Sequence, residues 1–146
     1  MDTREIERIL DECRVAMMAN MERYDINASG RTANSFKVER YEGGVRLVSR
    51  GDNIAPFTSL ETGNEPAWVP INELRQWVIE KKIEFNSEED RESFVRATQW
   101  KIAHEGTERY RQPNYDVTTP PIEQAVDSLK SAITQGFVKQ IHSILN

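Results

Sequence analysis

Little in this chain can be fixed covalently. A single cysteine, Cys13, stands among 146 residues, so no internal disulfide forms. A small secreted domain held by disulfides is thereby excluded. No apolar run approaches the length of a membrane span. The opening Met1-Asp2-Thr3-Arg4-Glu5 lacks the apolar centre of a signal peptide, which predicts folding in cytoplasm without targeting. Basic charge is in deficit: 19 Lys and Arg against 24 Asp and Glu give a net charge of −5. Broad binding to nucleic-acid phosphates requires a dense basic surface, so this balance argues against it, while a local basic patch stays open. Only two histidines occur, His104 and His142. His104-Glu105 has no second histidine at the spacing of a zinc-binding helix.

What is present reads as one polar but foldable domain over residues 1–146, with 38% apolar and 29% charged residues. Ile6, Ile9, Leu10, Cys13, Ala16, Met17 and Met21 recur at steps of three and four, predicting an amphipathic first helix that fades near Tyr24. Asp2 or Thr3 caps its start. Cys13 lies on the apolar side and is expected to be a buried, inert thiol. Ser35-Phe36-Lys37-Val38-Glu39 alternates as a half-buried strand. Glu42-Gly43-Gly44 turns the chain, and residues 45–50 return as a second strand with Val45 and Leu47 on one face. Residues 55–60 are the best candidate for a third strand.

Two helices are predicted next. The first covers 72–82, with Leu74, Trp77, Val78 and Lys81 on one face. Asn86 or Ser87 caps the second, whose stripe reads Phe94, Ala97, Lys101 and Ile102 and whose stop is Gly106. Residues 112–121 read as an extended loop rich in proline. A last helix from about Ile122 to Leu145 carries a long apolar face that includes Ile122, Leu129, Ile133, Phe137 and Ile144. The expected fold class is α+β: a small, mainly antiparallel sheet packed against long N- and C-terminal helices, each burying its stripe.

The chain holds no recognisable catalytic motif. No serine sits in a G-x-S-x-G turn, and no glycine run is followed by G-K-[ST]. Glu88-Glu89-Asp90 suits a solvated helix start. Among the aromatics, Trp77 and Trp100 are expected in the core. Trp68, between Pro66 and Pro70, either folds back over the domain's own core or anchors a partner, and the first reading is the default. Arg109-Tyr110-Arg111 forms a short basic-aromatic cluster suited to nucleic acid or to a contact between subunits.

The order of four segments adds a resemblance. Ser29-Gly30-Arg31-Thr32-Ala33-Asn34-Ser35-Phe36 leads into the hairpin. Leu60-Glu61-Thr62-Gly63 follows it, then Pro70-Ile71-Asn72-Glu73-Leu74-Arg75-Gln76-Trp77-Val78, and finally Ile102-Ala103-His104-Glu105-Gly106-Thr107. In this order they resemble the tail-completion and head–tail neck proteins of tailed bacteriophages, over residues 29–111. The sequence departs from that pattern at 112–121, which intervenes before the last helix. The resemblance implies a structural virion protein made in the host cytoplasm. It would be a subunit of a homo-oligomeric ring that completes the tail or joins it to the capsid. Adjacent portal, neck or tail proteins would be its partners, and DNA would pass through the ring without specific binding. It implies no enzymatic activity, no cofactor and no metal. The residues expected to meet partners are Pro66, Trp68, Pro70, Arg109, Tyr110 and Tyr115. Two other classes remain at this point. A nucleic-acid-binding domain requires Arg31, Lys37, Arg40, Arg46 and Arg50 to converge on one sheet face. A hydrolase requires acidic residues to meet His104 in a pocket.

Overall fold

The computed structural model describes residues 2–26, 30–51, 60, 62–113 and 116–145. Helix α1 (Thr3–Arg23) starts where the Asp2 carboxylate accepts from the Arg4 amide at 3.1 Å. Its buried residues, Ile9, Cys13, Met17 and Met21, are spaced by four and so share one face. At its end Asp25 adopts a left-handed conformation, φ 52°, which lets the Ile26 amide donate back to the Met21 carbonyl at 2.9 Å.

A helical turn, α2 (Arg31–Asn34), leads into β1 (Phe36–Tyr41), which pairs antiparallel with β2 (Gly44–Ser49). The register sets Val38 opposite Leu47 and Arg40 opposite Val45. Phe36, Val38, Val45 and Leu47 therefore share a face, and α1 packs across both strands. Two strands alone are marginal, and this helix supplies the missing cover. The third strand expected at 55–60 lies, apart from Leu60, outside the described residues. Leu60 itself is helical, not extended, and is buried in the main core.

The C-terminal helix, α6 (Thr119–Leu145), begins earlier than the prolines suggest, with Pro120 and Pro121 in its first turn, where no amide donor is needed. Of the loop expected at 112–121, residues 119–121 are helical and the described residues 112–113 and 116–118 are not. Val117 is fully buried, and the Asn20 side-chain Nδ2 donates to the carbonyls of Asp116 at 2.8 Å and Val117 at 3.1 Å. At the other end Ile9 and Ala132 line one groove, so α1 and α6 run antiparallel. The main core gathers α1, Ala33, Phe36, Leu60, Val117, Ala125 and Ala132. The result is an α+β fold with a two-stranded antiparallel sheet and long helices at both ends.

A second, smaller core lies between α3 (Ile71–Glu80) and α4 (Glu88–Glu105). Leu74, Val78 and Val95 are its buried centre, with Val69, Trp77, Phe85 and Ile102 packed around them. Ser87 caps α4, accepting from the Asp90 amide at 3.1 Å. A two-pronged Arg75–Glu92 pair, 2.9 and 2.8 Å, ties the helices together.

The stripe of α4 differs from the one expected. Val95 and Gln99 are buried and Ile102 packs beside them, whereas Phe94, Ala97 and Lys101 are exposed. Gln99 disguises the pattern: a polar residue faces inward because its amide donates to the Val69 carbonyl at 2.8 Å. Trp100 is consequently 58% exposed and not in the core. The last half of α6 also departs from expectation. Phe137 is 65% exposed, because α6 outruns the start of α1 and no described residue lies beyond that point to cover it.

Candidate interaction surface

Two segments far apart in sequence lock together beside the main core. The Thr107 amide donates to the Asn64 carbonyl at 3.0 Å, and the Asn64 amide donates to the Thr107 hydroxyl at 2.9 Å. The same hydroxyl caps the turn α5 (Glu108–Arg111) by accepting from the Tyr110 amide at 3.4 Å. Glycine is required on both sides of this latch. Gly63 has φ 69°, and a Cβ there would stand 2.5 Å from the Tyr110 backbone nitrogen. Gly106 has φ 77°, and a Cβ there would stand 2.9 Å from the Asn64 carbonyl oxygen. Both conformations disfavour any side chain, and both close approaches exclude one.

Further bonds fasten the latch to α1 and α6. Arg109 Nε donates to the Leu60 carbonyl at 2.6 Å, while its guanidinium lies 5.6 Å from the centre of the Tyr24 ring. The Tyr24 hydroxyl donates to Asp116 at 3.0 Å, and that carboxylate pushes the phenol above its ordinary pKa. Sequence reading misses this Tyr24–Arg109–Asp116 set. Its members belong to three separate segments, and no local pattern connects them.

The residues expected to meet partners fall into three groups. Pro66, Trp68 and Pro70 are exposed on the segment that runs from the latch into α3, and Trp68 is 69% exposed. Trp68 therefore does not fold back over the domain's own core, which was the default reading. Tyr110 is part-exposed above Gly106. Arg109 is engaged inside the chain, at Leu60 and Tyr24, and so contributes to the latch. Arg111 is held 3.6 Å from Glu105. Tyr115 lies outside the described residues.

The basic residues of the sheet do not form one face. Arg40 lies on the side turned to α1 and pairs with Glu7. Arg46 and Arg50 pair with Glu39 at 2.7 and 2.6 Å, and Arg31 lies 3.9 Å from Glu80. Among the described residues no group of three or more His, Cys, Asp or Glu is placed to hold a metal ion. His104 stacks on exposed Trp100 with ring centres 4.4 Å apart, and its Nδ1 lies 2.8 Å from the Trp100 carbonyl. Cys13 is buried, and burial pushes its thiol above the ordinary range.

The Glu39 cluster sets a pH dependence. Hydrogen bonds from Arg50 and then Arg46 lower the Glu39 carboxyl from 4.5 to about 2. Glu7 and Glu92 are lowered in the same direction by Arg40 and Arg75. A folded value below the unfolded one gives stabilisation that is complete above about pH 4.5 and lost as the pH falls toward 2. Denaturant midpoints of the parent protein should therefore decline across that window, and the decline should be shallower in Glu39→Gln. Equal slopes would show that the cluster does not stabilise the fold.

Comparison with known proteins returned nothing: no family model, no curated protein and no solved structure matches the chain.

Proposed function

We propose that this chain is a structural subunit of a tailed-bacteriophage virion, acting in a ring that completes the tail or joins it to the capsid. The observation that carries this reading is the latch. Two of the segments on which the resemblance rests, Leu60 to Gly63 and Ile102 to Thr107, are separated by some forty residues yet close on one another through Gly63 and Gly106. Closed in this way, the pair holds the start of a proline-flanked segment whose tryptophan points into solvent. A hydrogen-bonded anchor of this sort suits a subunit that must present a loop in one fixed shape to a neighbour.

In this reading Trp68 is the principal contact with an adjacent neck, portal or tail protein. Removing an aromatic anchor from an interface commonly costs about 2 kcal/mol or more of binding. Trp68→Ala should therefore reduce incorporation of the chain into particles. Its circular dichroism and melting temperature should stay close to the parent's, because the side chain is already in solvent. Normal incorporation of Trp68→Ala would remove this residue from the interface. Loss of folding would show that it serves the domain itself.

A further inference from the structure

The far half of α6 has no cover among the described residues. From Ile133 to Leu145 every residue is exposed. This stretch is nevertheless amphipathic. Ile133, Phe137, Ile141 and Ile144 follow at steps of three and four, with Gln140 among them as the polar member of the face, while Lys139, His142 and Ser143 occupy other positions together with Val138. The same stripe continues toward the start of the helix through Leu129, Val126 and Ile122. There it borders an apolar groove of about 280 Å³ whose other walls include Leu10, Val45 and Leu47.

We infer that the occupant of this groove is the far half of α6 from a second copy of the chain, the two helices lying antiparallel with Ile133 at the two-fold axis. The register is self-consistent. With Ile133 against its counterpart, Phe137 falls on Leu129, Ile141 on Ala125, Gln140 on Val126, and Ile144 on Ile122. Each projecting arm fills the other copy's groove.

Charge selects this direction. Asp116, Glu123 and Asp127 are the only charged residues from 112 to 129, whereas Lys130 and Lys139 are the only Lys, Arg, Asp or Glu from 130 to 145. Antiparallel helices set the acidic half of one against the basic half of the other. An in-register parallel pair sets like on like. Arg46, also at the groove, is already held by Glu39.

The area is adequate. With roughly 200 Å² for a fully exposed large side chain, the stripe leaves on the order of 600 Å² of apolar surface in water per chain. A monomer seldom exposes so large a continuous patch, and a stable interface takes about 800 Å² from each partner once its polar rim is included. Gly136, beside the axis, has no neighbour within 4 Å of a built Cβ, which leaves room for close approach of a second helix.

This pairing does not depend on the neck reading, since it concerns the purified chain and not its position in a particle. The test is light scattering and analytical ultracentrifugation of the full-length protein, together with three variants. The parent should form a dimer. Phe137→Lys should weaken it at least tenfold without changing the melting curve extrapolated to low concentration. Ile133→Cys should give a covalent dimer on oxidation, whereas Gln135→Cys, which lines the groove against α1, should not. Cys13 is buried and does not compete. The inference is overturned by a parent that stays monomeric at high concentration, by a Phe137→Lys dimer as tight as the parent's, or by an assembly of any size that fails to cross-link through Ile133→Cys. Loss of dimerisation in Phe137→Lys with unchanged incorporation into particles separates this surface from the neck contact at Trp68.

Discussion

Gly63→Ala should destabilise the protein by about 3 kcal/mol, more than a typical surface change. Two costs combine. A left-handed φ of 69° penalises a residue with a Cβ by about 1–2 kcal/mol. The new methyl would also stand 2.5 Å from the Tyr110 nitrogen and 2.9 Å from the Arg109 carbonyl carbon. These are backbone atoms, so they cannot rotate away, and relief requires opening the latch. The loss should appear in denaturant melts. Hydrogen exchange should show the amides of Asn64 and Thr107, which are bonded across the latch, losing protection first. An Ala variant with parent stability and unchanged protection at these amides would show that the latch does not hold the two segments together.

Met17→Ala should cost a comparable or larger amount, about 3–4 kcal/mol, within the range for emptying a buried methionine site. Met17 is fully buried at the middle of α1, where the helix meets the rest of the main core. The surrounding groups come from α1, the hairpin and α6, elements that pack on one another and cannot collapse independently into the space. The α3–α4 pair has its own buried centre at Leu74, Val78 and Val95. Protection of amides in α1 and β1 should therefore fall further than in α4. A uniform loss across both cores would show that they unfold as one unit, and a cost below about 1 kcal/mol would show that the site relaxes.

Much of this architecture was legible in the sequence because its signals are local. The four-residue spacing of α1, the alternation of β1, the serine cap and acidic first turn of α4, and the glycine stop at 106 each depend on a few adjacent residues. They were read correctly, to within a few residues at the ends. The misreadings have physical causes. Gln99 faces inward because it satisfies a carbonyl thirty positions away, and that moved the apparent stripe of α4 onto Phe94 and Ala97. Trp100 was placed in the core on hydrophobicity, yet it lies off the real stripe and stacks on His104 instead. Phe137 belongs to a genuine apolar stripe, but a stripe does not tell which partner covers it, and helix length decides that within a single chain.

The candidate surface was partly legible. Pro66, Trp68 and Pro70 stood out as a proline-flanked aromatic, although the default expectation placed the tryptophan inward. Arg109 was singled out for its charge, and its contacts with Leu60 and Tyr24 belong to tertiary structure alone. Gly106 is legible as a helix stop, and Gly63 only as part of a segment that carries the resemblance. That they face each other's segments followed from neither spacing nor composition.

The central proposal is a position in a particle, and imaging tailed particles assembled with this chain expressed tests it most directly. Cryo-electron microscopy with the neck and tail resolved should place copies of this α+β fold in a ring at the head–tail junction, with Trp68 against an adjacent protein. A map that places the chain elsewhere, or particles that form fully without it, would contradict the account.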